Sequence, residues 1–409
     1  MPGAGGSGQP STRRYRVTFM TNVDLERYRF TDILNEYRRT SPKVEVETVV
    51  GGLEKLRTLI AAGTPPDVSR LNDNYVLQFA LDQVTQPMDP YLKQSGLRRK
   101  DFYELIYDVG IFGGELGGKR YAWPMGAAPR LLYLNLDLFR QAGGALPPNH
   151  TWDVPGWTME DFLETAQRLS RPPEQWGTLI FHNTGYEQTW AVNFGHPTGV
   201  FSKDGKHFTL ADPLATEAIQ WVVDLSTRHQ VQPAWDTARE QGNWKLFAAG
   251  KIGMLYDTFA RVGRLREDLQ FAWDVAPLPK KKERRTVNSL ITYVIPAGAK
   301  EPQGGWDVLE FFAGPFAAQV FAETGYVIPP HRTYAQEVVK AGEGQPPKAI
   351  HLFVEALDYH TLPSLAARNV SELRKIYRPE LYGPVHRGER TAREMLTSVR
   401  PAVEALLQQ

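Results

Sequence analysis

The chain has 409 residues, a length that gives a prior of roughly two to three domains. Its composition is 42% hydrophobic and 23% charged, which is typical of globular proteins and excludes a disordered or fibrous chain. The formal net charge of +1 argues against a nucleic acid partner, and the absence of cysteine excludes disulfides, cysteine nucleophiles and thiolate metal sites.

Strand and helix patterns alternate over the first seventy residues. Residues 15–20 and 44–50 alternate polar with apolar side chains, which predicts two strands. Residues 31–39 and 53–60 carry apolar side chains at helical spacing, and a further short strand begins near Val68. The order strand, helix, strand, helix, strand is typical of an α/β sheet with crossover connections.

The middle of the chain is rich in helix signals. Thr158 with Asp161 three residues later predicts a capped helix start. Asp212 followed by Pro213 predicts a second start, with the proline at the first helical position. Helical patterning dominates again from residue 349 to the end. A mostly helical block therefore follows the first strands.

Two further strands are predicted late in the chain, over residues 271–276 and 286–295. The basic segment 280–285 between them is interpreted as a solvated hairpin loop. Because strands occur early and return here, we expect a sheet of the first domain to be completed by this later segment.

Two glycine-rich segments match the residue patterns of phosphate-binding motifs but lack the strand and helix that such motifs require. Residues 3–8 match G-x-G-x-x-G, but no strand precedes them. Residues 113–120 approach a P-loop, but Arg120 replaces the magnesium-binding Ser or Thr, and an extended segment follows. We interpret the second as a glycine-rich turn. No catalytic or metal-binding motif is found, so we expect no catalytic residues, no metal and no cofactor.

Aromatic and amide side chains remain as the candidate binding chemistry. A sugar offers an apolar face for stacking and hydroxyls for hydrogen bonds with carboxylates, amides and guanidinium groups. The aromatic candidates near polar segments are Trp123, Trp190, Trp235, Trp244, Phe247 and Phe259.

Six short segments, taken in order, carry a resemblance to a known family. They are the first strand with Asn22 and Asp24; residues 61–68 (AAGTPPDV); residues 118–124 (GKRYAWP) followed by Asn135; residues 246–254 (LFAAGKIGM); residues 273–279 (WDVAPLP); and residues 324–329 (TGYVIP). In this order they resemble the extracellular solute-binding proteins of sugar ABC transporters, the maltose-binding-protein-like family 1. The resemblance covers essentially the whole chain after residue 14.

The resemblance implies a two-lobed α/β fold, the type II periplasmic-binding-protein fold, with discontinuous lobes joined by a hinge. We expect residues 12–125 and 262–312 to form the N-terminal lobe, and residues 128–258 and 316–409 the C-terminal lobe. Residues 1–11 are expected to be a flexible tail. The ligand would close between the lobes.

The family's ligand-binding positions lie in loops at the carboxyl ends of strands. Carried over residue by residue, they are Asn22, Asp24, Asn72, Asp73, Glu187, Gln188, Trp190, Asp257, Thr258, Phe259, Asn288, Ser289, Tyr326, Arg368 and Asn369. We expect Trp190 to stack on a pyranose ring. We expect Asp73 and Asp257 to accept hydroxyl hydrogen bonds from one ligand that contacts both lobes.

Two positions depart from the family pattern. Leu134 stands where the family usually has tyrosine, and residues 127–129 lack the acid that some maltodextrin binders carry at the lobe crossing. Maltose itself is therefore a less expected ligand than another di- or oligosaccharide.

Two alternatives stay open. One is a binder of glycerol 3-phosphate or another polyol phosphate on the same fold, with an anion clamp drawn from Arg130, Arg261, Arg332 and Arg368. The convergence of two or more of these arginines on the cleft would favour it. The other, from a different class, is a carbohydrate-active hydrolase that uses two carboxylates.

The resemblance also implies the setting in which the chain acts. We expect a monomer that delivers a sugar to the permease subunits of an ABC importer and does not bind nucleic acid. The expected location is the periplasm or the cell surface, and the sequence as it stands begins without a signal-peptide pattern.

Overall fold

The computed structural model describes residues 15–181, 185–361 and 367–408. The predicted tail, residues 1–11, and the glycine-rich motif at 3–8 lie outside these described residues.

Thirteen strands are found in the described part of the chain. They are β1 (Tyr15–Thr21), β2 (Val44–Val50), β3 (Val68–Asn72), β4 (Ile111–Phe112), β5 (Lys119–Arg120), β6 (Trp123–Ala128), β7 (Arg130–Asn135), β8 (Trp176–Leu179), β9 (Ile252–Thr258), β10 (Trp273–Ala276), β11 (Thr286–Val287), β12 (Ser289–Val294) and β13 (His360–Thr361).

Helices connect and cover these strands. They are α1 (Phe30–Thr40), α2 (Leu53–Ala61), α3 (Asp73–Leu81), α4 (Asp89–Leu92), α5 (Glu104–Tyr107), α6 (Leu136–Gln141), α7 (Met159–Leu169), α8 (Tyr186–Asn193), α9 (Pro213–Thr227), α10 (Trp235–Gln241), α11 (Asn243–Ala248), α12 (Val262–Asp268), α13 (Pro302–Phe312), α14 (Pro315–Thr324), α15 (Arg332–Ala341), α16 (His351–Glu355), α17 (Val370–Glu380) and α18 (Ala392–Leu407).

The first sheet has the strand order β2-β1-β3-β12-β6. Strands β1, β2 and β3 run parallel, and β12 runs antiparallel to both of its neighbours, β3 and β6. The alternation that predicted β2 is seen in its burial, because Val44 and Val46 point into the core while Glu45 and Glu47 are exposed. The late return of β12 completes this sheet.

The second sheet has the strand order β10-β7-β9-β8. Strand β7 runs antiparallel to β10 and to β9, and β8 runs parallel to β9. Helix α7 flanks this sheet and is capped by Thr158. The Thr158 hydroxyl accepts the Asp161 amide hydrogen at 3.2 Å, and the Asp161 carboxylate accepts the Thr158 amide hydrogen at 2.9 Å. The predicted capping box is therefore present.

The expected lobe boundaries need two corrections. Strand β10, assigned from sequence to the N-terminal lobe within 262–312, pairs with β7 of the second sheet. Helix α14, assigned to the C-terminal lobe within 316–409, packs into the core of the first sheet through Ala317, Val320 and Phe321. We therefore define the first lobe as residues 15–128 and 288–327, and the second as residues 130–287 with the described residues after 327.

The hairpin expected around 280–285 is also wrong. Strand β10 belongs to the second sheet and β12 to the first, so the segment between them runs from one lobe to the other. Arg284 in this segment is buried, and its guanidinium donates hydrogen bonds to the carbonyls of Trp152, Val154 and Trp157 at 2.7–2.9 Å. A run of basic residues in the sequence does not show which of them is buried and which are solvated.

The glycine-rich turn is found where the sequence predicts it. Strands β4 and β5 pair across it, and Gly117 and Gly118 have φ values of 63° and 72°, which favour glycine. Arg120 is buried, and its guanidinium donates to the carbonyls of Tyr107 and Val109. The segment is a structural turn.

Candidate functional site

The carboxyl ends of the first sheet's parallel strands meet at one edge. Strands β1 and β3 end next to Asn22 and Asp73, β6 ends at Ala128, and the antiparallel β12 begins there with Ser289. Loops at this edge of an open α/β sheet commonly bind ligands. Asn22, Asn72, Asp73 and Ser289, all predicted as site residues, therefore share one edge.

The second sheet turns a corresponding edge towards the first. Strand β7 follows β6 after the single residue Pro129, and it begins at Arg130 opposite Thr258, where β9 ends. The two edges are therefore joined directly at Pro129. A second connection passes through Asn288, and a third lies at Ile328, whose backbone forms two hydrogen bonds with Ala127 at 2.8 and 3.0 Å. We define the cleft as the region between the two edges, with these three connections at its base.

Asp73 lies on the first-lobe side of this cleft, at the start of α3, and is half-buried. Its carboxylate accepts a hydrogen bond from the Asn74 backbone amide at 2.8 Å. Burial raises the pKa of Asp73, against the opposing positive charges of Arg374, Arg130 and Arg70. Residues of both lobes and of their connection therefore act on this one carboxylate.

Arg130 occupies the connection itself and is buried. Its guanidinium donates to the Val287 carbonyl at 2.8 Å and to the Ser289 hydroxyl at 2.9 Å. Asn288, between these two partners, is also buried, and its side-chain amide has no hydrogen-bond partner among the described residues. Because buried amides are normally paired, this amide is available to a ligand or a water molecule.

Of the remaining first-lobe candidates, Asn22 and Asp24 already have hydrogen-bond partners, whereas the hydroxyl of Tyr326 has none among the described residues. Asn22 accepts a hydrogen bond from the Arg70 guanidinium, and Asp24 accepts the Arg27 backbone amide at 3.0 Å, as expected of a residue that stabilises a turn. Tyr326 packs against Tyr28 with ring centroids 4.4 Å apart. Burial raises the pKa of Tyr326 to about 12, and within the described residues its hydroxyl has no partner.

The prediction that Trp190 stacks on a sugar is corrected by its burial. Its side chain is 0% exposed, and it packs against Trp221 and Tyr256 with ring centroids 5.5 and 5.8 Å away. All of helix α8 is buried, so its aromatic residue belongs to the core of the second lobe.

Glu187 and Gln188, on the same helix, are buried and already paired. Glu187 accepts hydrogen bonds from the Tyr382 hydroxyl at 2.5 Å and from Arg378 Nε at 3.2 Å. Gln188 donates to the Thr198 carbonyl at 2.6 Å and fastens that loop. Glu187 therefore positions two other side chains, and Gln188 is structural.

Asp257 is likewise corrected to a structural position. It is 1% exposed, and its carboxylate accepts the Thr258 amide at 2.7 Å and Arg261 Nε at 3.3 Å. The Thr258 carbonyl accepts the Tyr133 hydroxyl, and Phe259 is fully buried. These contacts stabilise the end of β9.

Arg368 and Asn369 precede α17 on the second lobe. Arg368 forms an ion pair at 3.2 Å with Glu115, which lies on the first lobe. Asn369 adopts a left-handed conformation with φ 53° and stands directly before the first residue of the helix. Arg368 therefore joins the two lobes, and Asn369 forms the start of α17.

Sequence reasoning missed a groove of about 540 Å³ along α17. We call it the α17 groove, and its lining includes Trp235, Ser371, Arg374, Lys375, Arg378 and Tyr382. Trp235 and Tyr382 stack with ring centroids 4.7 Å apart. The spacing of Arg374 and Arg378 is a signal that was available in the sequence, because residues four apart share a helix face.

The α17 groove reaches the cleft through one contact. Asn74 Nδ2 on the first lobe donates a hydrogen bond to Ser371 Oγ on the second, at 3.3 Å. Asp73 is the neighbour of Asn74, and Arg374 lies one turn after Ser371. The polar edge of the first lobe and the aromatic, basic groove of the second therefore adjoin.

Two classes of feature are not found in the described ranges. No group of three or more histidines and carboxylates there could hold a metal ion. Of the helices given above, none combines the length and the apolar character needed to cross a membrane.

Comparison with known proteins identifies the family. The family model for the bacterial extracellular solute-binding protein matches residues 25–319. A Brucella abortus protein described as a binding protein is 26% identical over 271 residues, covering 63% of this chain. The chain spans 61% of the length of that curated relative.

Solved structures share the fold at low sequence identity. An ABC substrate-binding protein of Listeria monocytogenes in complex with cycloalternan has a TM-score of 0.83 at 20% identity, over 96% of this chain and 99% of that chain. The sugar-binding protein MalE of Xanthomonas citri has a TM-score of 0.79 at 18% identity, over 96% of this chain and 98% of that one. UgpB of Mycobacterium tuberculosis, in complex with glycerophosphocholine, has a TM-score of 0.78 at 17% identity, over 98% and 99%.

These likenesses confirm the two-lobed α/β fold. The family consists of binding proteins, which are not enzymes. The match over residues 25–319 covers most of the chain, which therefore belongs to the bacterial extracellular solute-binding proteins.

Proposed function

We propose that this chain is the substrate-binding component of an ABC importer and that it captures a sugar, a di- or oligosaccharide, between its lobes. The observation that supports this most is the meeting of two unlike surfaces at the Asn74–Ser371 contact. The first lobe offers carboxylate and amide groups for hydroxyls, and the α17 groove offers aromatic rings for sugar faces.

The chemistry of these side chains gives each surface a role. Asp73 accepts hydrogen bonds from ring hydroxyls, and Asn72 accepts or donates them. The amide of Asn288, which has no partner among the described residues, does the same from the base of the cleft. Trp235 and Tyr382 support the sugar ring. Ligand binding favours the closed state because only that state brings both sets of contacts to one molecule.

The setting follows from the family. We propose that the chain acts in the periplasm or at the cell surface, as a monomer, and delivers its ligand to the membrane permease. A net charge of +1 gives no support to a nucleic acid partner.

The polyol-phosphate alternative in its original form loses support. Three of the four candidate arginines already bond carboxylates, since Arg261 pairs with Asp257, Arg332 with Asp358 and Arg368 with Glu115. Of these four arginines, Arg130 is the one that has no carboxylate partner among the described residues. The hydrolase alternative loses support too, because the family is one of binding proteins.

A thermal-shift screen with mono-, di- and oligosaccharides tests the proposal. A ligand that binds only the folded state stabilises it by about 2.7 kcal/mol at a hundredfold excess over Kd. We expect at least one di- or oligosaccharide to raise the melting temperature and to bind in calorimetry at one site. If no saccharide does so, the proposal of a sugar ligand fails.

A further inference from the structure

Three arginines adjoin the cleft without a carboxylate hydrogen-bond partner. Arg70 donates to the amide oxygen of Asn22, and Arg130 donates to the Val287 carbonyl and to Ser289. Arg374 forms no hydrogen bond or ion pair within the described parts of the chain. Among the described residues, no carboxylate hydrogen bond offsets the positive charge of any of these three guanidinium groups.

Arg374 differs in this respect from the other basic side chains of the α17 groove. The others have carboxylate partners, in the pairs Arg378–Glu187, Lys375–Glu372, Arg239–Asp236 and Arg387–Glu389. The positive charge of Arg374 is the one in this groove that no ion pair offsets, as far as the described residues show.

The carboxylate of Asp73 lies within electrostatic range of all three arginines. Asp73 lies beside Asn74, which contacts Ser371 one turn before Arg374, and its carboxylate feels the charges of Arg374, Arg130 and Arg70. Among these four side chains, three are positively charged and one is a carboxylate, so the positive charges outnumber the negative charge by two.

Closure of the lobes over a ligand makes this excess costly. Removing water from a guanidinium is unfavourable unless an opposite charge or good hydrogen bonds replace it. Hydroxyls of a neutral sugar supply hydrogen bonds but no charge. A carboxylate or phosphate supplies both, and guanidinium groups bind either of them through two parallel hydrogen bonds.

We propose that the ligand of this cleft is an acidic saccharide, whose carboxylate or phosphate is bound by Arg374 together with Arg70 or Arg130 while its ring lies against Trp235 and Tyr382. This inference rests on the proposed function and narrows its substrate class. Arg374 is the residue that selects acidic from neutral sugars.

The test compares matched acidic and neutral ligands by titration calorimetry. The carboxylate arm is a digalacturonate against the corresponding neutral galactose disaccharide, and the phosphate arm is glucose 6-phosphate against glucose. Inorganic phosphate and acetate alone control for the anion. We expect the acidic member of one arm to bind at least about tenfold more tightly than its neutral counterpart, because charge-assisted hydrogen bonds are the stronger ones. Its affinity should fall as salt is raised.

Variants locate the effect at one side chain. Arg374→Gln should lose at least about tenfold in affinity for the acidic ligand and little for the neutral one, while Arg374→Lys retains part of the preference. Arg393→Gln is the matched control, because Arg393 is exposed on α18 of the same lobe and lies outside the α17 groove. Circular dichroism confirms that each variant is folded.

The outcomes separate this inference from the function on which it rests. If neutral saccharides bind as tightly as acidic ones, or if Arg374→Gln leaves the preference unchanged, the acidic ligand is excluded and sugar binding stands. If phosphate or acetate alone binds as tightly as the sugar acids, the saccharide specificity is overturned. If no saccharide of either kind binds, both proposals fail.

Discussion

Asn74 of the first lobe and Ser371 of the second are joined by a hydrogen bond of 3.3 Å across the cleft. Each stands in the first turn of a helix, Asn74 in α3 and Ser371 in α17. The contact brings the edge that carries Asp73 next to the groove that carries Arg374, so it is the point at which the two halves of the candidate site meet.

Removing this contact should weaken ligand binding modestly. A single neutral hydrogen bond contributes about 0.5–1.5 kcal/mol, so Ser371→Ala should reduce affinity by roughly two- to tenfold if the bond belongs to the closed state. Calorimetry of Ser371→Ala measures this. Ser398→Ala is the control, since the Ser398 hydroxyl donates to the Met395 carbonyl within α18. Equal effects in the two variants would show that the contact does not contribute to closure.

Substitution of Trp190 should lower the stability of the fold, whereas substitution of Trp235 should lower the affinity for ligand. Trp190 fills the second-lobe core, so Trp190→Ala should lower the free energy of unfolding by about 3–5 kcal/mol. Trp235 lines the α17 groove, so Trp235→Ala should cost about 1–3 kcal/mol of binding, in the range of an aromatic anchor.

Denaturant unfolding and calorimetry, both applied to the two variants, separate these effects. Trp190→Phe serves as a folded variant in which ligand affinity should stay unchanged. An affinity loss in Trp190→Phe as large as that of Trp235→Ala would return Trp190 to the binding site.

Asp73 should make the ligand-free protein less stable at neutral pH than at acidic pH. Burial raises the pKa of its carboxyl in the folded state, so the folded state binds this proton more tightly than the unfolded state does. The resulting stabilisation is fully present below the unfolded pKa and is lost as the pH rises through the folded pKa.

Asp73→Asn removes that dependence. Its free energy of unfolding should exceed that of the wild type at pH 7, and the difference should shrink as the pH approaches 4. Urea unfolding at the two pH values measures both quantities. A wild type that is more stable than Asp73→Asn at pH 7 would show that the arginine charges outweigh the burial of the carboxylate.

His360 gives the opposite dependence at the connection between the lobes. It is buried beside β11, and burial lowers its pKa to about 4. The unfolded state therefore binds a proton first, and the stability present above about pH 6.5 is lost as the pH falls towards 4. At about 1.4 kcal/mol for each pKa unit, the loss amounts to about 3 kcal/mol at most.

Unfolding experiments between pH 7 and pH 4.5 measure this loss. His360→Gln should show a flatter pH dependence over that range. His207→Gln is the control, because His207 is exposed. If the wild type and His360→Gln lose stability in parallel, His360 does not titrate as its burial implies.

The strands could be predicted from the sequence better than their partners. Alternation located β2 at its observed bounds, and the strand character of β10 and β12 was also visible. Nothing local showed that β10 pairs with β7, because that pairing joins residues more than a hundred positions apart. The same limit explains why α14 was assigned to the wrong lobe.

The residues of the candidate site could likewise be predicted from the sequence only in part. Asn22, Asn72 and Asp73 follow strands that meet at one edge, and edge residues can be read from strand order. Asp257 and Trp190 have similar surroundings in the sequence, but Arg261 and the rings of Trp221 and Tyr256 already contact them. Whether a carboxylate or an aromatic ring is free for ligand depends on such tertiary contacts, which composition and spacing do not contain.

The central claim is that one ligand is bound by both lobes, and small-angle X-ray scattering during a ligand titration tests it most directly. With the saccharide identified by thermal shift, the radius of gyration of the wild type should fall as the cleft closes. Asp73→Ala, which removes a first-lobe contact, should need roughly ten- to a hundredfold more ligand for the same change. A ligand that saturates the wild type with no change in the scattering curve, or that closes Asp73→Ala at the wild-type concentration, would contradict binding between the lobes.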